Sequence, residues 1–243
     1  MRVLATRGDL GWRLSDLAAA CDLDKSTVHR MLASLIKERL VQQRTGDRRY
    51  LPGPLLYELG LSLSGHHQFH AAAEMHLGSL TRRRNGTSLL LLRSGFEYVC
   101  SVYAGPARLP GLMVEKGTRR PLFTSVGGVA IIQTLSDAEA GEVLQNNLEQ
   151  EMAKRGGGRL GALEQMRRRS ARHGFGVNLG DVVVGLHAFA VPVFAPDRKA
   201  FAALCLMGPS ERFPQDGLGA VRDELERVAR VLETDAAGLL FTH

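Results

Sequence analysis

The chain has 243 residues, 44% of them hydrophobic and 23% charged, with a net charge of +6. That balance suits one large domain or two smaller ones with their own cores and argues against global disorder. No apolar run nears the roughly 20 residues that span a bilayer, the N-terminus lacks the apolar segment of a signal peptide, and the scattered Cys21, Cys100 and Cys205 read as reduced thiols of a cytoplasmic protein. The charge is uneven, since residues 1–55 hold ten basic and six acidic side chains. A basic surface attracts phosphate backbones whatever their sequence.

In "RLSDLAAACD", Leu14, Leu17 and Ala18 fall on one helical face, with Ser15 as the expected N-cap. "CDLD" breaks the pattern: Asp22 suits a turn position with positive φ, and Asp24 suits the cap of the next helix. That helix would bury Val28, Leu32, Leu35 and Ile36 and expose Lys25, Thr27, Arg30 and Lys37. Two short helices joined this way form a helix-turn-helix, whose second helix enters the major groove N-terminus first. Lys25, Ser26, Thr27, His29 and Arg30 are then the candidates to meet base edges and phosphates. In "LVQQRTGDRRYLP" two extended runs flank "TGDRR", which predicts a hairpin carrying Arg44, Arg48 and Arg49. A basic hairpin after a recognition helix is a wing for the sugar-phosphate backbone. A small αα-hairpin with an exposed basic turn would look similar.

"GPLLYELGLSLSG", residues 53–65, reads as a linker helix with Pro54 in its first turn and an apolar stripe of Leu55, Leu56, Leu59 and Leu63. That stripe suits packing on the winged domain or on a second subunit. A further helix ends near Asn85 and Gly86; its His66, His67 and His70 fit a solvated face better than a metal site. From Thr87 the period changes. "TSLLLLRSG", "FEYVCSVYA" and "LPGLMVE" read as strands, with Ser94-Gly95 as a hairpin turn. A helix should start near Ser125, a second after Ser136 with Glu139 in a capping box, and a third should stop at Gly174. "VVVGLHAFAVPVF" and "KAFAALCLMG" read as strands joined at residues 196–199, before a closing amphipathic helix. The fold class is therefore mixed α/β, of the α+β kind. Residues 1–52 form the DNA-binding domain, 53–65 the linker helix and 66–243 the second domain.

No GxSxG, phosphate loop or nucleophile-base grouping occurs, so catalytic, metal and cofactor sites are not expected. "TSVGGVAII" does place Ser125, Val126, Gly127 and Gly128 at a helix N-terminus, where free N–H groups attract a carboxylate. Gly127 and Gly128 would equally serve close packing of that helix on the sheet.

The motifs "KSTVHRML", "GPLLYELG" and "VPVFAPDRKAFAALCLMGPSERF" resemble the IclR family of bacterial transcriptional regulators, over nearly the whole chain. The resemblance implies a winged helix-turn-helix, a linker helix and a GAF-like effector-binding domain, with homodimers or dimers of dimers on double-stranded operator DNA, commonly an inverted repeat. It implies an effector pocket at Leu109, Leu112, Val126, Gly127, Asn178, Asp181, Ala188, Cys205 and Met207, with Asn178 and Asp181 preceding a late strand. Departures bear on the effector. Asn178 stands where small keto-acid binders often carry an acid, Asp181 replaces a common glutamate, and Cys205 and Met207 replace small hydroxyl residues. A less polar pocket suits a larger organic acid, an aromatic one among them. Asp22 and Asp24 replace the usual glycine and proline of the turn. Competing readings are an enzyme with an accessory DNA-binding domain, a GAF-like sensor holding haem, flavin or a cyclic nucleotide, and an assembly module.

Overall fold

The structure, a computed structural model, describes residues 1–106 and 114–241, without the side chain of Arg155. It divides into two compact units, Met1–His67 and Gln68–His243. The first holds α1 (Arg2–Ala5), α2 (Leu14–Cys21), α3 (Lys25–Lys37), β1 (Val41–Gln43), β2 (Tyr50–Pro52) and α4 (Pro54–Leu61). A small core of Leu4, Trp12, Leu17, Ala18, Val28, Leu32, Val41 and Tyr50 joins them. Trp12 and Tyr50 exchange backbone hydrogen bonds of 2.9 and 2.8 Å, which ties the start of α2 to the hairpin.

The turn between α2 and α3 matches its sequence signals. Asp22 takes φ 51° at the end of α2, and the Asp24 carboxylate accepts from Thr27 N–H at 2.8 Å. Ser15 does not cap α2: Arg13 is the N-cap, without a side-chain bond, and the Ser15 hydroxyl lies 3.2 Å from Asp16 Oδ1 inside the helix. Leu35 is half-buried and Ile36 is exposed, so the apolar face of α3 ends one turn sooner than its spacing suggests. The linker is not one helix through Gly65. It breaks at Ser62, whose N–H and hydroxyl both turn back to the carbonyl of Leu59.

The next helix, α5 (Ser64–Arg84), ends at Asn85 with φ 48°. It leads into β3 (Thr87–Ser94), β4 (Glu97–Ala104), β5 (Arg119–Pro121), α6 (Val126–Ile132), α7 (Asp137–Arg155), α8 (Leu160–His173), β6 (Gly176–Leu179), β7 (Leu186–Phe194), β8 (Ala200–Pro209) and α9 (Leu218–Leu239). The six strands make one antiparallel sheet in the order β5-β4-β3-β8-β7-β6. Helices cover both faces, which explains the near-continuous apolar runs of β3 and β8. On one face α5 and α9 pack against Leu90, Phe189, Val191, Leu204 and Leu206. On the other, α6 and residues of α7 and α8 pack against Leu89, Leu91, Ala188, Ala190, Ala203 and Cys205.

Ser125 and Ser136 cap their helices as expected, accepting from Gly128 and Glu139 N–H, and Gly174 stops α8 with φ 72°. The capping box is half made, because the Glu139 carboxylate pairs with Arg93. Two short strands, β5 and β6, were not anticipated. Asn178 lies on β6 rather than in a loop, and β7 begins at Leu186, after the run 182–185. The expected strand "LPGLMVE" falls mostly outside the described residues.

Candidate DNA-binding face and effector cavity

In the first unit, Lys25, Ser26, His29 and Arg30 are exposed along the first turns of α3, with Thr27 half-buried. The Ser26 hydroxyl donates to the Asp24 carboxylate, as does Thr27 N–H. These bonds hold the Asp24 carboxyl well below its ordinary range, so the cap stays ionised. Arg30 Nη2 lies 3.5 Å from Thr27 Oγ1, which puts both side chains on one outward stripe. Met31, next on that stripe and 53% exposed, was not singled out by sequence.

The three wing arginines are not equivalent. Arg44 grips the Asp47 carboxylate through Nε and Nη2, both at 3.0 Å, and donates to the carbonyls of Asp9 and Leu10. Arg49 donates to the carbonyl of Leu10 at 3.0 Å and pairs with Asp47 at 3.2 Å. Arg48, at the tip with φ 54°, is exposed, and its guanidinium makes no hydrogen bond or ion pair among the described residues. Arg44 and Arg49 thus brace the wing against the segment before α2, while Arg48 projects from it.

In the second unit the register assembles a cavity. β6, β7 and β8 align Asn178 with Ala188 and Ala188 with Met207; one row on, Gly176 aligns with Ala190 and Ala190 with Cys205. The small side chain of Ala188 leaves a depression in that face, and Gly176 and Ala190 let the next element pack closely beside it. The start of α6 covers it, lying close enough that a Cβ on Gly176 would sit 2.7 Å from the Val126 carbonyl. The result is a cavity of about 100 Å³ lined by Val126, Gly127, Asn178, Ala188, Cys205 and Met207 together with Leu89, Leu91, Tyr98 and Met166.

Six of the nine residues named for the effector therefore meet in one place. Asp181 is not among the described lining residues. Its carboxylate is held by Arg169 at 3.0 and 3.1 Å, and its N–H donates to the Asn178 side chain at 2.9 Å, which sets the Asn178 rotamer. Leu109 and Leu112 lie outside the described residues.

Ser125, at the helix start singled out in the sequence, also lines the cavity, whereas sequence reasoning missed Tyr98, Arg120 and Arg159. Arg120 pairs with Tyr98 across β4 and β5, so both point to the same face. Strict alternation along "TRRP" carried that signal in too short a run to read. Arg159 pairs with Glu151 at 3.1 Å in a stretch that reads as a flexible glycine connection.

Burial pushes the Tyr98 hydroxyl and the Cys100 thiol each up to about 12, and pushes the Cys205 thiol higher still. Among the described lining residues there is no aspartate, glutamate or histidine. The mainly apolar lining thus carries two arginines, Arg120 and Arg159, one amide side chain, Asn178, and one protonated thiol, Cys205.

Comparison with known proteins settles the family. Residues 1–45 match the IclR helix-turn-helix domain model, and residues 65–234 match the model described as bacterial transcriptional regulator IclR C-terminal. The chain belongs to the IclR family. The glycerol operon regulatory protein of Streptomyces griseus is 29% identical over 96% of this chain and 92% of its own length. The HTH-type transcriptional regulator XynR of Escherichia coli is 24% identical over 90% and 87%. A crystal structure of an IclR homolog from Microbacterium hydrocarbonoxydans, complexed with 4-hydroxybenzoate, superposes with a TM-score of 0.66 at 21% identity, covering 92% of this chain and 90% of that one. IclR membership makes the chain a bacterial transcriptional regulator with an N-terminal DNA-binding domain and a C-terminal ligand-binding domain, rather than an enzyme.

Proposed function

We propose that this regulator binds an inverted-repeat operator as a homodimer or dimer of dimers in the cytoplasm, and that a single-ring organic acid in the cavity of the second unit changes its DNA affinity. The observation that carries the effector reading is the convergence of Val126, Gly127, Asn178, Ala188, Cys205 and Met207 on one small, mainly apolar cavity. Its size narrows the ligand class. A cavity of about 100 Å³ favours a compact acid with one ring, such as a benzoate, over a ligand of several rings. The 4-hydroxybenzoate in the Microbacterium homolog is of that size.

The acid's ring lies against Ala188, Cys205 and Met207, and its carboxylate faces the first turn of α6. There the Ser125 hydroxyl already accepts from Gly128 N–H at 3.0 Å. The N–H groups of Val126 and Gly127 are left without a carbonyl partner from their own helix. Asp181 acts on the effector indirectly, through the side chain of Asn178.

On the DNA side, Lys25, Ser26, Thr27, His29 and Arg30 enter the major groove, and Arg48 meets the backbone with Arg44 and Arg49 at the base of the wing. Two-fold assembly follows from the apolar stripe of α4 and the turn after it, where Leu59 and Leu63 are 53% and 50% exposed and Leu55 is half-buried. A two-fold protein reads a two-fold operator.

Footprinting of the regulator's own promoter, with and without a panel of benzoates and small keto acids, tests the whole reading. Arg30→Ala and Thr27→Ala should each weaken the footprint by about 1–3 kcal/mol and relax its sequence preference. A footprint that no acid of the panel alters would remove the effector assignment. Wild-type footprints from both variants would remove the groove-facing role of α3.

A further inference from the structure

We infer that Arg13, at the N-cap of α2, joins Lys25 and Arg48 in a cleft that grips one phosphodiester of the bound DNA. This rests on the reading of the first unit as the DNA-binding domain. The cleft encloses about 540 Å³ between the first turn of α2, the first turn of α3 and the wing. Arg13, Lys25 and Arg48 line it, with His29, Gln43 and Tyr50. All three cations are exposed, and none forms an ion pair among the described residues. The single carboxylate in the described lining, Asp47, is already held by Arg44 at 3.0 Å and Arg49 at 3.2 Å. Three like charges around one concavity repel each other in the free protein, and an anion set between them relieves that repulsion.

Arg13 is also held in place. The residue before it, Trp12, is buried and exchanges two backbone hydrogen bonds with Tyr50 of β2. Arg13 itself has extended backbone (φ −77°, ψ 151°), and its guanidinium makes no hydrogen bond or ion pair among the described residues. Its anchor is thus the same strand pair that presents Arg48. The cleft opens beside Lys25 and His29, the residues that lead α3 into the groove, and the anion at that place on a duplex is a backbone phosphate. With Arg44 and Arg49 bracing the wing from within, Arg13 supplies backbone contact that the wing's sequence credits to them.

The test uses the full-length protein and a duplex lacking the operator, with affinity followed by anisotropy against salt. Each neutralised phosphate contributes about 0.9 to the slope of log affinity on log salt. Arg13→Ala and Arg13→Gln should each reduce the slope by part of that amount, because Lys25 and Arg48 still face the phosphate, and Arg13→Lys should retain it. Arg13→Ala combined with Arg48→Ala should lose more than either single variant and no more than about 0.9, because both hold the same phosphate. A wild-type slope in Arg13→Ala and Arg13→Gln, with melting temperatures unchanged, overturns the inference. So does a loss of about 1.8 in the double variant, which would put the two cations on separate phosphates. Failure of the wild-type protein to bind any duplex at low salt would instead overturn the DNA reading on which the inference stands.

Discussion

Gly127 tests how closely the effector cavity and the core share one set of contacts. A Cβ at this position would sit 2.5 Å from Cys205 Sγ, 2.8 Å from Leu91 Cδ1 and 3.4 Å from Ala203 Cβ. Carbon and sulfur atoms need nearer 3.5–4.0 Å, so Gly127→Ala forces a shift of roughly 1 Å between α6 and the sheet. Overpacking of this kind costs about 1–3 kcal/mol. At about 2–4 °C per kcal/mol for a unit of this size, the melting temperature should fall by roughly 2–12 °C. Cys205→Ala removes the nearest obstructing atom, and Leu91 Cδ1 is the end of a side chain that can rotate. Gly127→Ala should therefore cost less on the Cys205→Ala background than on the wild type, a coupling that a double-mutant cycle reads directly. Gly128→Ala is a harsher control, since its Cβ would meet the Leu122 carbonyl oxygen at 1.9 Å, and backbone cannot turn aside. The same Gly127→Ala change narrows the cavity, so the rise in melting temperature caused by a bound benzoate should shrink. An unchanged melting temperature in Gly127→Ala, or perfect additivity with Cys205→Ala, would refute the tight approach of α6 to the sheet.

Met207→Glu places a carboxylate in the cavity wall at a residue 5% exposed. It should abolish the response to any organic acid in footprinting while binding to DNA without effector persists, with circular dichroism verifying the fold; an intact response would move the effector elsewhere. Leu59→Asp sets a charge in the exposed stripe of α4, and sedimentation should report a lower oligomer with weaker operator binding; the wild-type oligomer would place the interface on another surface. Hydrogen bonds from Arg167, and then from Arg168, lower the Glu164 carboxyl to about 2 from an ordinary 4.5. Its stabilisation is therefore full above about 4.5 and lost as pH falls through about 2, so the stability gap between wild type and Glu164→Gln should stay level from pH 7 to 5 and close below that. A gap that is constant from pH 5 to 2 would dissociate Glu164 from the two arginines.

Local signals made most of the fold legible. Asp22, Asp24, Ser125, Ser136, Asn85 and Gly174 all stand at helix ends where cap chemistry places them. Each acts through its own backbone neighbours, so a few residues of context suffice. The errors share a cause in tertiary structure. Ser15 has cap chemistry, but the Trp12–Tyr50 bridge sets where the chain turns helical, and that makes Arg13 the N-cap. β5 and β6 have three and four residues, and pairing to β4 and β7 holds them as strands more than their own pattern does. Ile36 continues an apolar spacing that the small first core has no room to bury.

The two functional surfaces differ in legibility for a physical reason. The residues proposed to face DNA lie close together in sequence, and exposure on a short helix follows from period and charge. What the sequence could not divide is the duty of the wing arginines, because Arg44 and Arg49 are occupied by carbonyls of residues 9–11, some 35 positions earlier. The cavity is harder still, since strand register makes it. Asn178, Ala188 and Met207 form a row across three strands, and a shift of one residue in β7 would turn Ala188 to the opposite face and set Phe189 in its place. That ring would fill the depression beneath α6. Of the small residues in these two rows, Ala188 lines the cavity, so in the proposed reading its size decides whether a ligand body fits, and the polar lining residues decide how that ligand is held. Enlarging Ala188 to Leu should remove effector binding without touching a single polar contact, whereas changing Asn178 to Ala should weaken binding and leave the cavity open.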